Sequence, residues 1–136
     1  MPLFYADSSA LFKLVRRESE SDHLRSYIAG ADLVSSELVL AEIPRAVRRA
    51  TYREPEIPLD RFLERAGQVI DALALRPLDG ALLALAGALA EPALRALDAI
   101  HVATAVNLKP AAFITYDGRQ AAAARLAGIR TVAPGR

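Results

Sequence analysis

Four carboxylates in this chain stand where an unpaired charge is costly. Asp7 directly follows the apolar stretch Leu3-Phe4-Tyr5-Ala6, and Asp117 lies just past Phe113-Ile114-Thr115. Asp98 opens an almost wholly apolar run from Leu97 to Leu108, and Glu42 sits among Val39, Ile43, Ala46, Val47 and Ala50. At 100° per residue Glu42 falls about 40° from Ala46, on the border of that apolar face. A charge near a core without a partner is penalised by desolvation. Two carboxylates about 4 Å apart also repel by roughly 4 kcal/mol at an effective dielectric of 20. Gathered together, these acids need a counter-charge, and the chain offers no lysine next to them: only Lys13 and Lys109 exist. A hard divalent cation, magnesium or manganese, suits a site of carboxylates and water. Such an ion lowers the pKa of a bound water and stabilises charge on a phosphoryl oxygen.

Taken singly, the same residues have plainer uses. Asp98 and Asp117 each stand at a helix start, where aspartate is a favoured cap. Glu42 reads equally as a border residue whose carboxylate reaches out to water. Spacing alone leaves both readings open, so the elements that carry these residues matter.

Leu3 to Ala6 reads as a short buried strand, followed by a helix through Leu11, Leu14 and Val15 that Ser8 or Ser9 could cap. A second helix is predicted over Ser21 to Ala29, stopped by Gly30, and Asp32-Leu33-Val34 forms a second strand. Ser35-Ser36 caps the helix that carries Glu42 toward Tyr52, and Pro44 inside that helix is expected to kink it. Further helices are predicted over Leu59 to Ala74, Ala81 to Leu89, Leu97 to Leu108 and Gln120 to Ala127. Leu75 to Leu78, Ala112 to Thr115 and Ile129 to Val132 complete the strands. The Leu97–Leu108 helix is apolar on nearly every side and should be central and buried. Short apolar strands alternating with helices imply an α/β protein with a parallel sheet covered on both faces. In such a sheet Asp7 and Asp117 overhang the carboxyl edge, where these folds place their ligand crevice.

The bulk numbers set bounds on partners and class. The chain has 136 residues, the length of one domain, with no internal repeat or linker, so residues 1–136 are read as a single unit. With 53% hydrophobic and 24% charged residues it is not a disordered chain. A net charge of +1 gives no global basic field, so any RNA-binding surface must come from local clustering of the 17 basic residues. Cysteine is absent, which excludes disulfides and thiolate metal sites. Met1 to Leu14 lacks a basic region followed by an apolar block, and Gly80 to Ala90 is much shorter than the roughly 20 residues of a membrane-spanning helix. A cytoplasmic protein without membrane association is expected.

The local strings are more specific than the spacing. Tyr5-Ala6-Asp7-Ser8-Ser9-Ala10-Leu11-Phe12-Lys13-Leu14 resembles the opening of PIN-domain proteins, in particular the VapC toxins of bacterial toxin–antitoxin pairs. Leu97-Asp98-Ala99-Ile100-His101-Val102-Ala103-Thr104-Ala105 is similar to that family's third-acid helix, and Leu40-Ala41-Glu42-Ile43 falls where it has its second acid. Phe113-Ile114-Thr115-Tyr116-Asp117-Gly118-Arg119, followed by Ala124-Arg125-Leu126-Ala127-Gly128-Ile129, resembles its C-terminal block. The resemblance implies an α/β/α sandwich around a parallel sheet of four or five short strands. It implies that Asp7, Glu42, Asp98 and Asp117 ring a divalent metal (magnesium or manganese), with the hydroxyls of Ser9 and Thr115 lining the site. The implied activity is endonucleolytic cleavage of RNA by a metal-activated water, leaving 3′-hydroxyl and 5′-phosphate ends. The implied partners are a small cognate antitoxin and a second copy of the chain.

Other residues have two readings each. His101 is one turn beyond Asp98, but a lone histidine in a buried helix is more often a hydrogen-bonded core residue, and His23 reads as surface. Arg45, Arg49 and Arg53 recur every four residues on the side of Glu42, either as a phosphate-binding stripe or as a solvated face. Arg16 and Arg17 divide the same way. Four tyrosines and four phenylalanines show no base-stacking platform. The helices at Leu11–Leu14 and Ala81–Leu89 carry apolar residues to spare, which is compatible with a homodimer. A phosphoacceptor domain is disfavoured, because Lys109 precedes the Phe113 strand rather than following it. A haloacid-dehalogenase-like phosphatase would want Asp-x-Asp, and position 9 is serine.

Overall fold

The computed structural model describes residues 1–136 and contains five strands and seven helices. In chain order these are β1 (Leu3–Ala6), α1 (Ser8–Val15), α2 (Ser21–Ile28), β2 (Asp32–Ser36), α3 (Val39–Arg53) and α4 (Leu59–Asp71). They continue with β3 (Ala74–Arg76), α5 (Gly80–Gly87), α6 (Ala96–Leu108), β4 (Ala112–Ile114), α7 (Gly118–Leu126) and β5 (Thr131–Val132). All five strands are parallel, in the order β3-β2-β1-β4-β5. The chain thus builds outward on one side of β1, then returns to build on the other.

Alternation along the strands sorts the core into two layers. Phe4, Ala6, Ala112 and Ile114 face α1 to α4, packing with Leu11, Leu24, Val39, Ile43 and Ala66. Tyr5, Val34 and Phe113 face the other way, onto Val102 and Ala105 of α6 and Ala123 and Ala124 of α7. The register pairs Tyr5 with both Val34 and Phe113, so the central strand has apolar neighbours on each side. Helix α6 is buried from Ala99 through Ala105, as its all-round apolarity predicts, and α5 packs on it through Leu82 and Ala86. The result is an α/β/α sandwich.

Several expected boundaries shift for identifiable reasons. The cap of α1 is Asp7 itself, accepting from the Ala10 amide, in place of Ser8 or Ser9. Ser35 and Ser36 belong to β2; the Ser36 hydroxyl still meets the Leu38 amide, but α3 starts at Val39 with no side-chain cap. Asp98 is not a cap: α6 begins at Ala96 after Arg95, leaving Asp98 inside the first turn with its side chain turned elsewhere. Helix α4 stops at Asp71, and β3 occupies Ala74–Arg76 because Pro77 has no amide to extend the ladder. Pro44 does not divide its helix, since α3 runs through it as one element of 15 residues. Leu11 is fully buried, so α1 has little apolar surface to spare, whereas Leu83 and Leu85 of α5 are exposed.

Candidate active site

The carboxyl edge of the sheet is built from hydroxyls and one acid. Where β1 ends, Asp7 is fully buried. One of its oxygens accepts from the Ser9 hydroxyl at 2.7 Å and the Ala10 amide at 3.0 Å; the other accepts from the Thr115 hydroxyl at 2.6 Å. Beside it, Ser35 ties its hydroxyl to the Ala6 carbonyl. No cationic side chain bonds Asp7, and burial pushes its carboxyl above the ordinary carboxylate value, against the pull of His101 and the three donors. A carboxylate has about four lone-pair positions, so three donors leave one open.

A cleft of about 570 Å³ has walls that include Ser8, Ser9, Glu42, Asp98 and Asp117, with Arg45 and Arg49 at its side. Glu42, Asp98 and Asp117, from α3, the first turn of α6 and the turn after β4, thus line one cleft, and Asp7, outside that lining, is tied to it through the Ser9 hydroxyl. Asp117 caps α7, accepting from the Arg119 and Gln120 amides, and its own amide is held by the Thr115 hydroxyl. Its sequence reading as a cap is thus correct and does not remove it from the cleft. Asp98 accepts from the Gln120 side-chain amide at 3.0 Å. Two larger hollows lie against α1, α2 and α4 and contain none of these acids.

Glu42 is held by a buried chain. Its carboxylate meets His101 Nε2 at 2.6 Å, and His101 Nδ1 meets the Tyr5 hydroxyl at 2.7 Å. His101 is 1% exposed, so both of its nitrogens must be satisfied inside the protein. A carboxylate only accepts, so Nε2 donates to Glu42, while Nδ1 is paired with the Tyr5 hydroxyl. The expectation of a hydrogen-bonded core histidine is correct, and the residue also bonds Glu42 at the cleft wall. The Tyr5 hydroxyl is itself held above its ordinary pKa by burial, with Ser35 and Thr104 hydroxyls pulling the other way.

The absence of a nearby lysine needs correction. Lys13 lines the cleft, but its ammonium turns from the acids to Glu18 at 2.9 Å and Glu20 at 3.1 Å, over the face of Tyr116. Glu20 is held down to about 2, first by Arg136 and then by Ser19 and Lys13. Arg16 and Arg17 are likewise engaged, with Glu54 and Asp22. Arg45 and Arg49 line the cleft but form no ion pair with its acids.

The donors present suit a hard divalent cation. All are oxygens, and no three of the acids converge closely enough to complete a metal shell alone. Gln120 Oε1, on the cleft wall, is the one buried side-chain polar atom without a partner, an acceptor that a metal-borne water would satisfy. Of the four acids expected to hold an ion, Glu42, Asp98 and Asp117 line the cleft and Asp7 is buried beside Ser9 of its wall. Sequence reasoning missed Gln120 and Tyr5, because their roles rest on contacts spanning 22 and 96 residues.

The parallel sheet, with Asp7 and Asp117 just past two of its strands and Glu42 and Asp98 on helices at the adjoining cleft, defines a class. The chain belongs to the PIN-domain family, whose description matches residues 4–126. Within it, the chain is 36% identical to ribonuclease VapC47 of Mycobacterium tuberculosis across 98% of both proteins. It is 39% identical to ribonuclease VapC46 of the same organism, across 98% of this chain and 99% of that one. Among solved structures, VapBC2 from Rickettsia felis bound to a DNA fragment from their promoter matches with a TM-score of 0.70 at 10% identity, covering 96% of this chain and 97% of that one. PAE2754 from Pyrobaculum aerophilum matches with a TM-score of 0.69 at 16% identity, covering 96% and 84%. These two show the fold.

Proposed function

We propose that this chain is a magnesium- or manganese-dependent endoribonuclease, a single domain over residues 1–136 that acts as the toxin of a toxin–antitoxin pair in the cytoplasm. The observation that carries the reading is a cleft walled by Glu42, Asp98 and Asp117, beside the fully buried Asp7, with no lysine or arginine bonded to any of the four. The VapC relatives, named ribonucleases, support it over the whole chain length.

A divalent ion held by Asp7, Glu42, Asp98 and Asp117 would activate water for attack on phosphorus and stabilise charge on the phosphoryl oxygens. The protein's own part is positioning. Ser9, Thr115 and the Ala10 amide fix the Asp7 carboxylate from three directions. Tyr5 and His101 aim Glu42, while Gln120 aims Asp98. Arg45, Arg49 and Arg53 lie on the cleft's side of α3 and would hold the backbone phosphates that flank the bond to be cut. Hydrolysis at the 3′-oxygen leaves 3′-hydroxyl and 5′-phosphate ends. No helix is long and apolar enough to cross a membrane. Partners of this reading are an RNA substrate, a small antitoxin and a second copy of the chain.

The test is cleavage of total cellular RNA by purified, partner-free protein. Cutting with magnesium or manganese that EDTA stops is the expected result. Metal-replete protein that leaves the whole RNA pool intact would remove the enzyme reading.

A further inference from the structure

Toward its C-terminal end, helix α3 leads out of the acidic cleft and presents a hollow of opposite charge. Its walls are Arg45, Arg48, Arg49, Tyr52 and Arg53. Arg45 and Arg49 also line the acidic cleft, so the two are continuous along one helix. None of the four arginines bonds a carboxylate, although Arg16, Arg17, Arg76 and Arg136 each do. In a protein of net charge +1, four uncompensated guanidinium groups on less than three turns form a local anion site. Tyr52 stands among them 89% exposed. It contributes almost nothing to the core, and tyrosine is a poorer surface helix former than alanine, leucine or lysine. The fold does not require an aromatic ring there.

We propose that this hollow is a subsite for single-stranded RNA, with a base of the strand stacked on Tyr52 and its neighbouring phosphates held by Arg48, Arg49 and Arg53. The proposal rests on the nuclease reading and specifies its substrate. Ten residues separate Glu42 from Tyr52, about 15 Å along the helix. At about 3.4 Å per stacked nucleotide the held base lies at most about four nucleotides from the bond cut. A base in a duplex has both faces covered by its neighbours, so only an unpaired base can lie on the ring. Arginine and tyrosine together supply charge for the backbone and a flat face for any base, which gives affinity without a strict sequence requirement. An acidic protein segment would satisfy the arginines but leaves the exposed ring without a use.

The experiment uses the whole protein in EDTA with fluorescein-labelled 12-nucleotide oligouridylate, oligoadenylate and a 12-base-pair RNA duplex, followed by anisotropy across a salt series. Tyr52→Ala should weaken both single strands about 5- to 100-fold, leave duplex binding alone and keep the parent's salt slope. Tyr52→Trp should bind at least as well as the parent. Arg48→Ala should lower the single-strand salt slope by about 0.7. In the metal-replete cleavage assay, Tyr52→Ala should raise KM and keep kcat. Single-strand binding equal to the parent's, or equal loss on single strand and duplex, overturns the subsite. So does a Tyr52→Ala protein that binds RNA normally but no longer associates with a partner protein, which would make this face a protein-docking surface. Normal cleavage by the parent alongside any of these sinks the subsite alone, whereas a parent that cuts nothing sinks the nuclease reading itself.

Discussion

Replacing His101 with phenylalanine keeps a flat ring of similar size in the core and removes both ring nitrogens. Two contacts vanish: the 2.6 Å bond to Glu42 and the 2.7 Å bond from Tyr5. Glu42 is partly exposed, with 19% of its side chain accessible, so water can replace the first. The Tyr5 hydroxyl is enclosed and would lose its partner, which costs 1–3 kcal/mol in general; the Ser35 and Thr104 hydroxyls nearby put it at about 1–2. At about 4 °C per kcal/mol for a chain of this length, the melting temperature should fall by about 4–8 °C. Glu42 is at the same time released from its aim, and losing such an outer partner typically costs 10- to 100-fold in metal affinity. The double variant Tyr5→Phe, His101→Phe separates these effects. It removes both buried polar groups together, so most of the stability should return, because an apolar pair leaves nothing unsatisfied. Glu42 remains untethered, so the manganese affinity should not return. Melting curves in EDTA and manganese titrations by calorimetry on the three proteins decide it. Recovery of metal affinity along with stability in the double variant would show that the Tyr5–His101 chain is core packing and does not aim Glu42.

Two further outcomes follow from the other acids. Because burial raises the Asp7 pKa above its ordinary 3.8, the folded protein keeps a proton there that the unfolded chain gives up. Stability from this group is complete below 3.8 and is lost as pH rises through the raised value, so in EDTA the parent should lose stability relative to Asp7→Asn across that window. The difference in melting temperature between the two, plotted against pH, checks the sign; a parent that gains on the variant as pH rises would contradict it. Asp98→Asn keeps the helix, should melt no lower than the parent in EDTA and should gain less from manganese, with activity down by orders of magnitude. An unchanged manganese shift and full activity would take Asp98 out of the site.

The sheet and its parallel sense were legible because they rest on local pattern, apolar tetrapeptides alternating with helices and one helix apolar all round, whereas the spacing of the four acids alone left their roles open. The expected caps failed where two uses of one side chain compete. Asp7 caps α1 while also binding the Ser9 and Thr115 hydroxyls, and Asp98 sits within its helix, so a cap signature there points to the wrong bond. Lys13 shows the limit from the other side. Its position six residues after Asp7 says nothing of Glu18 and Glu20, which turn its charge away from the cleft. His101 was legible as a buried, hydrogen-bonded residue, but not as the tie between Tyr5 and Glu42, since that depends on three separate elements meeting. Tyr52 was hidden in the same way: four tyrosines in a composition do not reveal that one stands outside among arginines.

The strand order bears on when the protein becomes dangerous during its own synthesis. Chains emerge from the ribosome at about 5–20 residues per second, and early segments begin to fold before late ones exist. Here β1, β2 and β3 can pair as soon as Arg76 is made, yet β1 is the central strand and its other flank belongs to β4. Thr115, Asp117 and Gln120 all come with or after that strand. A nascent chain lacking it has a bare central edge, an Asp7 without its Thr115 donor and three of four acids at most. The cleft thus assembles last, which confines any cutting power to molecules whose sheet has closed on both sides of its first strand.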